Sequence, residues 1–184
     1  MKKIKLDLVE GKREYVGMET NLALISDEFI LIHKDKNGKV LHYLDSRKWK
    51  HDSIVDVGMA IAAALLGAVG SPAAFTYIGI GTDSTGVQVT DHQLGTQKSR
   101  LSCTPTRITT SVTNDTLQLD VIFSHANDAG LTGTDSICET GVFNASGTTD
   151  NAMLWRQTFT AISCNWDQGD TLEMICKTQV KQGS

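Results

Sequence analysis

The chain has 184 residues, 40% hydrophobic and 21% charged, with a net charge of −4. That is enough apolar sequence for one domain with its own core, needing neither a metal nor disulfides to fold. The acidic balance argues against a nucleic-acid binder, which needs clustered cations to neutralise phosphates.

Charge is unevenly divided. Residues 1–50 carry 11 Lys+Arg against 8 Asp+Glu, and the remaining 134 carry 6 against 13. A basic front and an acidic body can attract opposite ends of neighbouring copies. The start, MKKIKLDLVEG, is broken by Lys5 and Asp7 and has no apolar run of signal-peptide type, so a soluble cytoplasmic product is expected. Residues 1–50 read as an N-terminal arm and β-hairpin used for docking. Ile4, Leu6 and Leu8 alternate with charged residues, the pattern of a half-buried strand or an arm that adds to a sheet edge. In FILIHKDKNGKVLHYL, Asn37-Gly38 predicts a two-residue type I′ turn. That register pairs Lys34 with Leu41, Ile32 with Tyr43, and sets His33 opposite His42. Its mixed faces suggest an exposed ribbon or one packed on a partner. Ile32, Tyr43 and Trp49 join Ile4, Leu6 and Leu8 as the assembly residues of this front.

Residues 51–184 read as the body. Ser53 with Asp56 resembles a capping box, which predicts a helix over 53–67. Apolar residues surround it on all sides, so it is expected to be buried. Its apolar run, Val57 to Val69, is too short for the ~20 residues that span a bilayer. Beyond it, FTYIGIGT, RITTSVTN, TLQLDVIFSH, SICETGVFN, AMLWRQTFTAIS and TLEMICKTQV read as short strands between turn clusters. Leu117, Leu119, Val121 and Phe123 share one face. The expected fold is mainly β: an antiparallel, jelly-roll-like β-sandwich with one buried helix and an N-terminal strand arm and hairpin.

No reactive constellation emerges. GIGTDSTG lacks the G-K-[ST] of a phosphate loop, and neither G-x-S-x-G nor H-E-x-x-H occurs. Cys103, Cys138, Cys164 and Cys176 have no zinc spacing and read as buried free thiols, with a disulfide pair as the alternative in an oxidising environment. HANDAGLTGTD offers oxygen ligands but lacks the calcium-loop spacing, and reads as a loop that caps its own backbone. Glu139 has no second carboxylate placed to share acid–base work. It is expected to pair structurally with Arg156, so Glu139→Gln should alter stability only modestly. No catalytic residue, cofactor or metal is expected.

Three stretches carry a resemblance. YIGIGTDSTGVQVTDHQLGTQ contains Thr90, Asp91, Leu94 and Gly95 of a T-D-x-x-L-G-x-E segment, with Gln97 where the acid usually stands. ICETGVFNASGTTDNAMLWRQTF fits I-x-E-x-G-L-F-N-A followed by M-L-x-R-x-x-F, and AISCNWDQGDTLEMICKTQV closes with G-D-T-L. Together these resemble a family of bacteriophage virion structural proteins of head-decoration and tail-fibre type, over residues 51–181. The resemblance implies a non-enzymatic virion component that assembles with other virion proteins. A capsid decoration protein forming a homotrimer on the head, in contact with the major capsid protein, is the leading expectation. A tail-fibre or tail-tip component is the alternative. A carbohydrate-binding module, with Trp49, Trp155 or Trp166 stacked on sugar rings, belongs to a different class.

Overall fold

The computed structural model describes residues 4–6, 13–15, 26–48, 54–147 and 152–180. Among the described residues the fold is mainly β, with two larger antiparallel sheets, a two-stranded ribbon and one α-helix. A short ribbon, β1 (Ile4–Leu6) with β2 (Arg13–Tyr15), pairs Ile4 with Tyr15. β3 (Ser26–Lys34) and β4 (Val40–Asp45) form the hairpin, and α1 follows at Asp56–Gly67. The body continues with β5 (Tyr77–Gly81), β6 (Gln97–Ser102), β7 (Thr106–Ile108) and β8 (Thr116–Phe123). β9 (Thr134–Phe143), β10 (Met153–Asn165) and β11 (Thr171–Gln179) complete it.

One sheet runs β10-β9-β5-β6 and the other β4-β3-β11-β8-β7. Their inner faces meet in a single core. Phe29 on β3 lies 5.4 Å, centroid to centroid, from Phe159 on β10. Trp155 Nε1 on β10 donates to Thr178 Oγ1 on β11 at 3.1 Å. Two-residue alternation sets the inward face: Leu172, Met174 and Cys176 on β11, with Phe29 and Leu31 on β3, are all buried. On β8, Leu119 and Phe123 are buried and Leu117 and Val121 pack partly against the same core. The expected shared face holds.

The hairpin departs from the division at residue 50. β3 pairs with β11 over nine residues, from Lys34–Thr171 to Ser26–Gln179, and lies between β11 and β4. The hairpin is therefore part of the sandwich, because Phe29 and Leu31 have nowhere else to bury their side chains. Its turn is also wider than type I′. Only Gly38 takes a positive φ, +79°, whereas type I′ needs two such residues. Gly38 N donates to Asp35 O at 2.9 Å, and Asp35 Oδ1 accepts from Asn37 N and Lys39 N. A register shift follows, so Lys34 faces Val40 rather than Leu41, while Ile32–Tyr43 and His33–His42 pair as the sequence suggests.

The helix differs too. It starts at Asp56, its N-cap is Val55, and no side chain caps it; Ser53 lies outside the described residues. It ends in a left-handed residue, Ala68 with φ +50°, with Val69 N donating to Ala64 O and Ala68 N to Leu65 O. The larger correction concerns burial. Only Gly58 of α1 is buried, where a Cβ would run into the Leu154 carbonyl of β10. Leu66 and Val69 are 80% and 67% exposed. Among the described residues, one side of α1 packs on the four-stranded sheet and the other is open.

Candidate functional site

The outer face of the four-stranded sheet carries the one buried ionic cluster among the described residues. Glu139 on β9 is fully buried, and Arg156 on the adjacent β10 is 3% exposed. Glu139 lies opposite Thr158, so Arg156 reaches it diagonally along the pleat. Arg156 Nε donates to Glu139 Oε2 at 2.8 Å. Its other nitrogens reach two further carboxylates: Nη1 donates to Asp91 Oδ2 at 2.9 Å, and Nη2 to Asp83 Oδ2 at 3.1 Å.

The Glu139 carboxylate is saturated. Oε1 accepts from Asp83 N at 3.1 Å and Thr96 N at 2.9 Å, and Oε2 accepts from Gly95 N at 3.0 Å as well as from Arg156. A carboxylate offers about four acceptor positions, and protein donors fill them. The loop that supplies those amides crosses the sheet closely. A Cβ on Gly95 would collide with the Asp83 carboxylate, and one on Gly81 with the Glu139 carboxylate and Thr96 carbonyl. Leu94 enters beside Gly79 and Gly141, and packs with Val55, Phe143 and Met153. The segments singled out in the sequence thus meet at one place: Gly81 and Asp83, then Asp91, Leu94 and Gly95, then Glu139, then Arg156.

Electrostatics reinforce this arrangement. Burial pulls the Arg156 guanidinium down, but the hydrogen bond to Asp91 and the charge of Glu139 outweigh it and hold it above the usual arginine value. Asp83 sits below the ordinary carboxylate range, first through hydrogen bonds from the Thr85 hydroxyl and amide and then through Arg156. A cleft of about 390 Å³ opens above, lined by Asp83, Asp91, Arg156 and the Thr85–Gly95 loop. Its charged groups are turned towards one another, so the arrangement fastens a loop to a sheet.

A second polar chain lies at the hairpin. His33, 1% exposed, has Nε2 3.0 Å from Asp170 Oδ2 and Nδ1 3.0 Å from His42 Nδ1. The ring planes differ by 5° and the centroids are 5.2 Å apart. That separation is the N···N contact plus two ring radii, so the rings meet edge to edge in one plane and share an N–H···N bond. Asp170 Oδ2 also accepts from Asn165 N at 2.8 Å. Among the described residues, no group of three or more His, Cys, Asp or Glu is placed to hold a metal.

Of the residues singled out for assembly, Ile32 is half-buried in the sheet and Tyr43 is 54% exposed on the outermost strand. Ile4 and Leu6 lie in β1; their side chains, and Leu8 and Trp49 altogether, are outside the described residues. Trp155 and Trp166 are buried, so neither can stack on a sugar from solvent. The four cysteines are free and buried. The 125–135 loop caps itself: Asp128 Oδ1 accepts from Gly130 N, Asn127 Nδ2 donates to Ile122 O, and His125 Nδ1 bonds Leu131 O.

Sequence reasoning paired Glu139 with Arg156 but missed Asp83 and Asp91 as its further anions, the amide donors, and Asp170 behind His33. The available signal was that each missed acid lies in one of the quoted turn segments. No protein-family model, curated protein or solved structure matches this chain.

Proposed function

We propose that the protein is a non-enzymatic structural component of a bacteriophage virion: a decoration protein that sits on the head as a homotrimer in contact with the major capsid protein. The observation that supports it is the destination of the motif residues. Asp83, Asp91, Gly95, Glu139 and Arg156 bond one another and nearby amides, and so fix a loop across a sheet. An acid–base catalyst has to keep a carboxylate oxygen within reach of a substrate proton. Glu139 has both oxygens committed to protein donors. A motif kept for such a fastening suits a rigid brick in a lattice, whose task is geometry.

Quantitative mass spectrometry of purified particles tests the reading. A copy number commensurate with the shell lattice, and retention on emptied heads, are expected. A copy number matching the tail would move the protein to the tail-fibre class. Absence from particles would remove the virion reading.

A further inference from the structure

The polar chain at the hairpin, Asp170–His33–His42, has no role in the virion reading. It runs from the sandwich interior to solvent. Asp170 and His33 are buried, whereas His42, on the outermost strand, is exposed. His33 Nε2 lies 3.0 Å from Asp170 Oδ2, and His33 Nδ1 lies 3.0 Å from His42 Nδ1. An ionised carboxylate only accepts, so His33 keeps a hydrogen on Nε2. The other contact joins two nitrogens of one kind, and each becomes a donor when its ring is charged. The junction therefore closes with both rings neutral or with one charged, and a single charge has the Asp170 carboxylate behind it. With both rings charged, two N–H groups oppose each other at 3.0 Å with no acceptor between them.

We propose that this junction is an acid-sensitive latch: uptake of a second proton expels His42 and frees the hairpin tip, residues 34–42, while β3 stays in the sheet. Burial decides which ring leaves. His33 is held by Asp170 and lies opposite Leu172, on a strand paired with β11 over nine residues. β4 has β3 as its one sheet neighbour among the described residues, and His42 faces water. Further along, the hairpin is anchored: Leu44 packs on the core, and Ser46 Oγ accepts from Phe29 N at 2.7 Å. Opening is thus confined to the tip. The surrounding charges are otherwise engaged. Glu173 of β11 pairs with Lys34 of β3, and Asp135 of β9 with Lys98 of β6. Asp35 bonds the amides of its own turn, Lys36 lies against Gly169, and Lys39 and Asp167 are exposed. Among the described residues Asp170 is the carboxylate in contact with the pair, enough for one positive charge and not for two. The open junction binds one proton more than the closed one, so acid favours opening and the closed form is complete on the alkaline side. The window is that of histidine, between about pH 5 and 8.

Hydrogen–deuterium exchange of the full chain, read as protection of residues 34–42 relative to β8 and β11, tests the latch. From about pH 8 to about pH 5 the tip should lose protection, by about tenfold per pH unit once a second proton is demanded, with β8 and β11 unchanged. His42→Asn places an amide nitrogen near the position of Nδ1, which keeps a donor for His33 on a side chain that cannot charge. Its tip should stay protected at the acid end. A variant tip that opens as the wild type does would assign the response to Asp170 or another acid and overturn the proposal. A wild-type tip equally protected across the range would overturn it too. Should His42→Asn fail to fold, the imidazole resonances of the wild type decide. Opening should accompany charging of the second ring, and two charged rings under a protected tip would sink the latch.

Discussion

Arg156 donates to Asp83 and Asp91 of the β5–β6 connection and to Glu139 of β9, so its loss should be felt beyond one bond. Removing one partner of a buried ion pair strands the other, at a typical cost of about 3–5 kcal/mol. Arg156→Ala leaves Glu139 fully buried without its cation, and a loss of about 3–5 kcal/mol is expected in urea denaturation. Glu139→Gln belongs on the same scale, because the amide would aim a donor at groups that already donate. The sequence led to an expectation of a modest effect, with the value of the pair depending on burial, and the burial of both partners raises it. A loss below about 1 kcal/mol, the value of a surface pair, would return Glu139 to that class. Asp115 gives a pH test. Burial pushes its carboxyl up, but amide and side-chain donors from Thr110, Ser111, Val112 and Gln179 outweigh that and hold it well below the carboxylate range. A lowered folded value means that its contribution is complete above the unfolded value near 3.9 and is lost as pH falls through the folded one. Asp115→Asn should therefore reduce stability at neutral pH and flatten its acid dependence below about pH 4, measured by thermal melts across pH.

At the scale of elements, the hairpin and helix show where pattern and packing disagree. The strands of the body are legible because their inward residues are apolar at every second place, as in β8 and β11. β6, QKSRLS, is not legible: it is a polar edge strand whose Ser99 is buried through a bond to Asp128. RITTSVTN yields only two strand residues, Arg107 and Ile108, since Asp115 draws the following amides into a turn. Alternation placed the hairpin outside the core because its inward residues include Asp27 and His33, whose polar partners, Gln157 and Asp170, lie over a hundred residues away. Nothing local announces such partners. Deletion of residues 1–50 removes β3, with Phe29 and Leu31 of the core, and should abolish folding, seen as loss of the β-type circular-dichroism signal. The point version is Phe29→Ala, with an expected loss of about 3–5 kcal/mol in denaturation. At the helix terminus, Ala68 holds a left-handed conformation that costs an L-residue about 1–2 kcal/mol. Ala68→Gly should raise the melting temperature, and a fall would show that its methyl group matters more than its φ.

For the whole molecule, the Glu139–Arg156 pair was legible as far as its two ends, because opposite charges stand on consecutive strands. The loop above it was not, since backbone amides carry no letter in a sequence. The two sheets share one apolar core that includes Cys103, Cys164 and Cys176. Burial pushes Cys103 up to about 11 and Cys164 up to about 12, and raises Cys138 and Cys176 as well. A thiolate is the reactive form, so thiol reagents at pH 8 should label the native protein slowly and the denatured protein rapidly. Rapid native labelling would show that the core opens easily. These raised values favour the fold fully below the unfolded thiol value near 8.5, and that advantage drains away as pH climbs towards 11 to 12.

The in-plane junction of His33 and His42 has room for one hydrogen only. Whichever ring owns it, the other presents a lone pair, and so the tautomers of the two rings are chosen together. In isotope-labelled protein that nucleus should appear far downfield in the proton spectrum, correlated to two ring nitrogens, one on each side of the hairpin. Such a line would be a built-in reporter of whether strands β3 and β4 stay zipped.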